Sequence, residues 1–283
     1  MALKRSKVPI LLRLVQWVYP RLEKVLPSLA HRFFITIFFT PMNYRVPDKE
    51  KVLERQADKF DLYVGRKRIQ CYSWGEGPTV LVVHGWAGRA TQFRKIISAL
   101  VNDGFRVIGF DGPAHGHSEG RSTNIMEFAA VLTKLYETIG KPVAIIAHSF
   151  GGGAVLYAAM KGLEVEKLIN VASPSIGDEI IATYLKTIKG SPATATSFKA
   201  YIEKTTGKPF EHFTALHFIT RLPRKVELLL IHDEDDPEVP LNHALEMIIK
   251  YPAATLYRTQ GLGHTRILRG EAVISKCLSF IKG

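Results

Sequence analysis

The sequence predicts an α/β protein: a mainly parallel, eight-stranded sheet with helices on both faces, a helical insertion and a helical N-terminal arm. Three observations predict it. Short, continuous apolar runs alternate with segments of helical spacing, as expected where parallel strands are covered on both faces. An antiparallel hairpin precedes them. About fifty residues with helical stretches but no strand signal interrupt the pattern near its middle.

Asp58–Val64 and Lys67–Trp74 read as the hairpin, turning at Gly65-Arg66. Thr79–Val83 is the first buried strand, and residues 91–102 follow with Phe93, Ile96, Ile97 and Leu100 at helical spacing. Phe105–Phe110 is the next strand. Ile125–Ile139 is a helix, with Asn124 as N-cap and Gly140 at its stop. Val143–Ala147 is a strand and Phe150–Met160 a helix. Lys167–Ala172 and Val226–Ile231 are further strands, Leu241–Tyr251 a helix, Ala254–Arg258 a strand and Glu271–Ile281 the last helix. The expected division is an arm over 1–55, core over 56–174, a helical lid over 175–225 and core again over 226–283.

The 283 residues suffice for one large core with additions. Cys71 and Cys277 stand far apart and form no CxxC, so nothing points to an oxidising compartment. Net charge is +12, and half of it falls in residues 1–50, where nine cations meet three acids. No basic cluster belongs to a nucleic-acid-binding module, so no nucleic-acid partner is expected.

In that first segment apolar groups (Val8–Val18, Leu22–Leu29, Phe33–Phe39) are interspersed with Lys and Arg, and Pro20, Pro27 and Pro41 are expected to divide it into short pieces. Three readings stand. A secretory signal has its basic start in Lys4, Arg5 and Lys7, but Arg13 breaks the apolar run. An interfacial anchor would set residues 1–40 against anionic headgroups. A plain helical arm would pack on the domain or its lid. No run is apolar for the roughly 18 residues a membrane span needs, and a cytoplasmic protein, soluble or held at a membrane by the arm, is expected.

The chemistry is concentrated in five loops that follow predicted strands. Val143-Ala-Ile-Ile-Ala-His-Ser149-Phe-Gly-Gly-Gly153 runs a buried strand into a glycine turn that opens a helix. A serine at such a turn projects its hydroxyl above the sheet edge, and the helix N-terminus aims amides at the reacting centre. Ala147 stands where the G-x-S-x-G elbow has its first glycine. His84-Gly85-Trp86-Ala87-Gly88 follows Thr79–Val83, and a flexible loop there brings an amide over the elbow; Trp86 and Phe150 are the candidate oxyanion donors. Asp111-Gly-Pro-Ala114-His115-Gly-His117-Ser118 shapes the site floor. Its two histidines lack carboxylate or cysteine partners, so no metal is expected. His232-Asp-Glu-Asp-Asp236-Pro-Glu-Val-Pro240 carries five acids, and such a run is ordinarily a solvated loop. His264 closes Gly261-Leu-Gly, after the strand Ala254–Arg258. His148 is a neighbour of Ser149 on a tight turn and points away from it.

In order and spacing these loops resemble those of the α/β-hydrolase superfamily from about residue 58 to the end, in the manner of bacterial esterases and lipases with an AHS-type elbow. The resemblance implies the α/β-hydrolase fold. Its acid loop, H-G-x-x-D-x-x-V-P, implies Asp236 as the acid, with Asp235 the alternative and Asp233 in a glycine's place. The catalytic expectation is Ser149 as nucleophile, His264 as base and Asp236 as its orienting acid, with no cofactor. A carboxylic ester or thioester with an apolar acyl group is the expected substrate. Acyl transfer, lyase or carbon–carbon hydrolase chemistry, or an idle ligand-binding scaffold, are the alternatives.

Overall fold

The computed structural model describes residues 10–283. Lys4, Arg5 and Lys7, the basic start of a signal reading, lie outside the described residues. The described chain divides into two compact units: the stretch up to Phe39 with Gly177–His212, and Thr40–Ile176 with Phe213–Gly283.

The smaller unit begins with α1 (Ile10–Val25) and α2 (Pro27–Phe39). Pro20 was expected to end a segment, yet α1 runs through it. Proline inside a helix removes one hydrogen bond and costs ~3 kcal/mol or more, so tertiary packing has to supply the difference. Pro27 sits at the first position of α2, where its missing N–H is not needed.

The larger unit opens with α3 (Asp48–Arg55), then the hairpin β1 (Asp58–Val64) and β2 (Lys67–Trp74), with the predicted bounds. The chain continues through β3 (Thr79–Val83), α4 (Arg94–Asn102), β4 (Arg106–Phe110), α5 (Ile125–Ile139), β5 (Ala144–His148), α6 (Phe150–Met160) and β6 (Lys167–Val171). It passes into the smaller unit for α7 (Gly177–Ile188) and α8 (Pro192–Thr206). It then returns for α9 (Ala215–Ile219), β7 (Glu227–Asp233), α10 (Asn242–Lys250), β8 (Thr255–Thr259), α11 (Gly263–Arg266) and α12 (Glu271–Lys282).

The eight strands form one sheet in the order β1-β2-β4-β3-β5-β6-β7-β8. The hairpin pairs antiparallel and everything from β4 to β8 is parallel. All parallel strands therefore present their carboxyl ends along one edge, where open α/β sheets build their sites. One apolar core fills each sheet face. Leu81, Ile145 and Leu230 point into one with α5 and α6; Val82, Ile146 and Leu229 point into the other with α4 and α12. Cys71 and Cys277 are free, buried and in opposite cores, consistent with the sequence's lack of a disulfide signal. Asn124 caps α5 as expected, its side chain accepting from the Met126 and Glu127 amides.

In the smaller unit Phe34 and Phe38 pack on Phe198 with ring centroids 5.2 and 4.5 Å apart, and Phe38 also meets Tyr184. Tyr19 is fully buried, with its hydroxyl 3.0 Å from Thr194 Oγ1. Glu23 turns inward: its carboxylate accepts from Ser191 Oγ at 2.6 Å and from Thr194 Oγ1 at 2.5 Å. Arm and insertion thus share one aromatic core. No helix among the described residues is long and apolar enough to cross a membrane.

Candidate active site

Ser149 is the first residue past β5, at φ 52° and ψ −124°. Left-handed backbone at a non-glycine residue costs on the order of 1–3 kcal/mol and persists only where the surroundings enforce it. Here the Ser149 amide donates to Val171 O at 2.8 Å, and Ser173 Oγ donates to Ser149 O at 2.9 Å. The glycines that follow answer to space. A Cβ on Gly151 would lie 2.5 Å from Val83 O and 2.6 Å from His84 O. A Cβ on Gly85 would lie 2.8 Å from Ser149 Cβ, so the β3 loop passes directly beside the serine.

His264 stands in the short α11, a helical turn with no periodicity in the sequence. Its Nε2 is 3.0 Å from Ser149 Oγ, and its Nδ1 is 2.8 Å from Asp236 Oδ2. With the carboxylate accepting, the proton belongs on Nδ1, which leaves Nε2 free to accept from the serine hydroxyl. The second Asp236 oxygen accepts from the Glu238 and Val239 amides at 2.8 and 3.0 Å. Burial opposes charge on Asp236, but the imidazole and these two amides outweigh it and hold the carboxyl below its ordinary value. Asp235, the alternative acid, instead accepts from the Gly261 amide at 3.1 Å.

Three residues play parts that sequence reasoning missed. Asp233, noted only as standing in a glycine's place, is fully buried and ties the acid loop to the base loop. Its carboxylate accepts from Thr259 Oγ1 at 2.8 Å, from the Leu262 amide at 3.0 Å and from the Asp235 amide at 3.2 Å. A carboxylate at the buried end of a strand was the available signal. Glu50 and Arg89 form a buried ion pair at 3.0 Å, and Thr91 donates to the same Glu50 oxygen. No motif contains Glu50, and only the fold brings it to the loop after β3.

His148 packs beside the base, its ring centroid 4.8 Å from that of His264, and its Nε2–H donates to the backbone carbonyl of His264 at 2.8 Å. Burial pushes its basicity down to about 3, which keeps the ring neutral. His84 and His115 are neutral for the same reason, pushed down to about 4 and about 3. Each uses both ring nitrogens on backbone. His84 donates to Gly85 O and accepts from the Gly112 amide. His115 donates to Pro113 O and accepts from the Ala87 amide. The two histidines therefore clamp the β3 and β4 loops together. His117 Nε2 lies 3.3 Å from Glu54. Trp86 and Phe150, whose amides are the candidate oxyanion donors, are neighbours, with ring centroids 5.2 Å apart edge to face.

Residues 78–218 match the family model described as the alpha/beta hydrolase fold. This chain belongs to the α/β-hydrolase superfamily. A serine hydrolase-like protein of Danio rerio is 30% identical over 125 residues, covering 41% of this chain and 38% of that protein. A non-heme chloroperoxidase of Kitasatospora aureofaciens is 34% identical over 83 residues, covering 28% of this chain and 30% of the relative. Each match therefore spans under two-fifths of the relative's length. An esterase of Pyrococcus furiosus shares the fold at TM-score 0.66 and 20% identity, over 86% of this α/β-hydrolase and 96% of its own chain. In this α/β-hydrolase the elbow, the β3 loop, the acid loop and α11 all meet at the carboxyl edge of the sheet, as the superfamily pattern implies.

Proposed function

We propose that this α/β-hydrolase is a serine hydrolase that cleaves a carboxylic ester or thioester through an acyl-enzyme at Ser149. The observation that carries the reading is the unbroken relay Asp236–His264–Ser149, with contacts of 2.8 and 3.0 Å. In the first half-reaction Ser149 Oγ attacks the acyl carbon while its proton passes to His264 Nε2. The carbonyl oxygen becomes an oxyanion, received by the Trp86 and Phe150 amides. Collapse expels the alcohol or thiol, which takes the proton from His264. Water then repeats the sequence, releasing the acid and freeing Ser149. Asp236 keeps its charge throughout and stabilises the imidazolium.

Two supports stand beside the relay. Ser149 excludes the aspartate nucleophile of dehalogenase and epoxide-hydrolase chemistry, and the relatives include proteins named serine hydrolase-like and esterase. On this reading the favoured substrate carries an apolar acyl group. Each buried methylene would contribute about 0.8 kcal/mol, roughly fourfold in specificity.

The test is labelling with a fluorophosphonate probe followed by peptide mapping. The adduct is expected on Ser149 and absent from Ser149→Ala. An adduct elsewhere, or none on protein that hydrolyses aryl esters, overturns the assignment. A panel of aryl esters is expected to show kcat/KM climbing over the first several acyl carbons. A flat series would remove the apolar acyl preference.

A further inference from the structure

Helices α1 and α2 are two-faced. At about 100° per residue, Leu14, Trp17, Val18, Arg21 and Val25 share one side of α1. Tyr19 and Glu23 lie on the other side, engaged within the smaller unit. The first side is open to solvent: Leu14 is 55% exposed, Trp17 59% and Val25 75%. On α2, Leu29 and Phe33 are exposed while Ala30 and Phe34 are fully buried. Val25, Leu26 and Leu29 straddle the joint between the helices, so the two open faces meet there.

The exposed charges on these helices have one sign. Arg13, Arg21, Lys24 and Arg32 are all exposed. The segment's one acid, Glu23, is turned inward onto Ser191 and Thr194. The Arg21 guanidinium lies 4.2 Å from the Trp17 ring centroid and donates to Trp17 O, so cation and indole form one amphipathic element. Solvent gains nothing from such a face, because exposed Trp and Leu are costly to hydrate. An interface of acyl chains beneath anionic headgroups satisfies both halves: Trp, Val and Leu enter the headgroup–acyl boundary and Arg and Lys meet the phosphates.

We propose that the apolar and cationic face of α1 and α2 docks this protein, in the interface plane, on an anionic phospholipid surface. The charge pattern selects this occupant over a second copy of the chain, because two copies of a face carrying four cations and no outward acid would repel each other. Each cation near the surface contributes on the order of fivefold to partitioning onto anionic lipid. The docking does not depend on the chemistry proposed for Ser149.

The experiment is sedimentation of the full chain with phosphatidylcholine vesicles, with and without about one-third phosphatidylglycerol. Binding is expected to the anionic vesicles, at least tenfold weaker to the neutral ones and weakened by added salt. Trp17→Ser, Val25→Ser and Leu29→Ser combined should reduce partitioning at least tenfold with melting temperature unchanged, since all three side chains are more than half exposed. Trp17 emission should shift to the blue on binding, and the shift should be missing in Trp17→Phe. No binding of the full chain to anionic vesicles overturns the proposal. So does equal binding by the triple variant. So does a dimer that forms without lipid and dissociates to monomer in the triple variant, which would make the face a contact between copies.

Discussion

The two compact units of this α/β-hydrolase handle surface and polarity in opposite ways. Seven large apolar side chains stand exposed between Leu14 and Phe33 in the smaller unit; the larger unit, with three times as many described residues, has the same number, scattered from Met42 to Ile249. The larger unit instead buries charge and ring nitrogens. His84, His115, His148, Asp111, Asp233 and Asp236 are all buried there, and each is bonded to backbone amides or carbonyls. Catalysis demands fixed polar groups, and burial with backbone partners is how a sheet edge fixes them. Attachment to a surface demands the reverse, apolar groups left open with cations beside them. The contrast holds only if each unit can lose its device without the other losing its own.

The largest effect should come from Ser149→Ala, which should lower aryl-ester turnover by about 10⁴-fold or more while vesicle binding stays within twofold. Parallel loss of vesicle binding would show that the devices are coupled. Next, Asp236→Asn should cost on the order of 10⁴-fold in kcat, because the amide favours the wrong imidazole tautomer. Asp235→Asn should cost less than tenfold, since Asp235 accepts from the Gly261 amide while His264 Nδ1 meets Asp236. Steady-state kinetics on the two variants checks this, and the reverse ranking would move the acid by one position.

A smaller effect concerns pH. His84, His115 and His148 have folded-state basicity lowered by burial to about 4, about 3 and about 3. The unfolded chain therefore binds protons first as pH falls below about 6.5, and the stability these neutral rings contribute is present above that value and lost below it. Each ring should cost on the order of 1 kcal/mol per pH unit between about 6.5 and its folded value. Urea unfolding at pH 7 and 5.5 should show the loss in the larger unit, and His115→Gln should remove part of it. Equal slopes for the two proteins would show that His115 titrates normally.

The smallest expected effect is at Ala114, a non-glycine residue held at φ 64°. Ala114→Gly relieves left-handed backbone but frees the unfolded chain. The two nearly offset, leaving about 0.5 kcal/mol of stabilisation. A scanning calorimeter should register a rise of one or two degrees, and a fall would show that the methyl's packing outweighs its strain.

Much of the larger unit was legible in one dimension. β1, β2, β3, α5 and α6 have their predicted bounds, because apolar runs, the Asn124 cap and the glycine turns are local signals that tertiary packing reinforces. Ser149 and His264 could be picked out because each ends a strand-to-helix connection in a glycine-rich loop. The acid was harder. Five acids in one loop are chemically alike, and which one meets His264 depends on loop geometry; the 2.8 Å contact belongs to Asp236.

Sequence alone determined the strand order along the chain, the charged and apolar character of the arm, and the residue types of the relay, since each is written in local spacing. Tertiary structure decided the rest. It paired Glu50 with Arg89 across 39 positions and Asp233 with Leu262 across 29. It carried α1 through Pro20, and it turned Glu23 inward while leaving Trp17 outside. None of these has a periodicity to read, because each depends on which distant backbone or side chain arrives within 3 Å of a polar group, and burial makes that arrival obligatory.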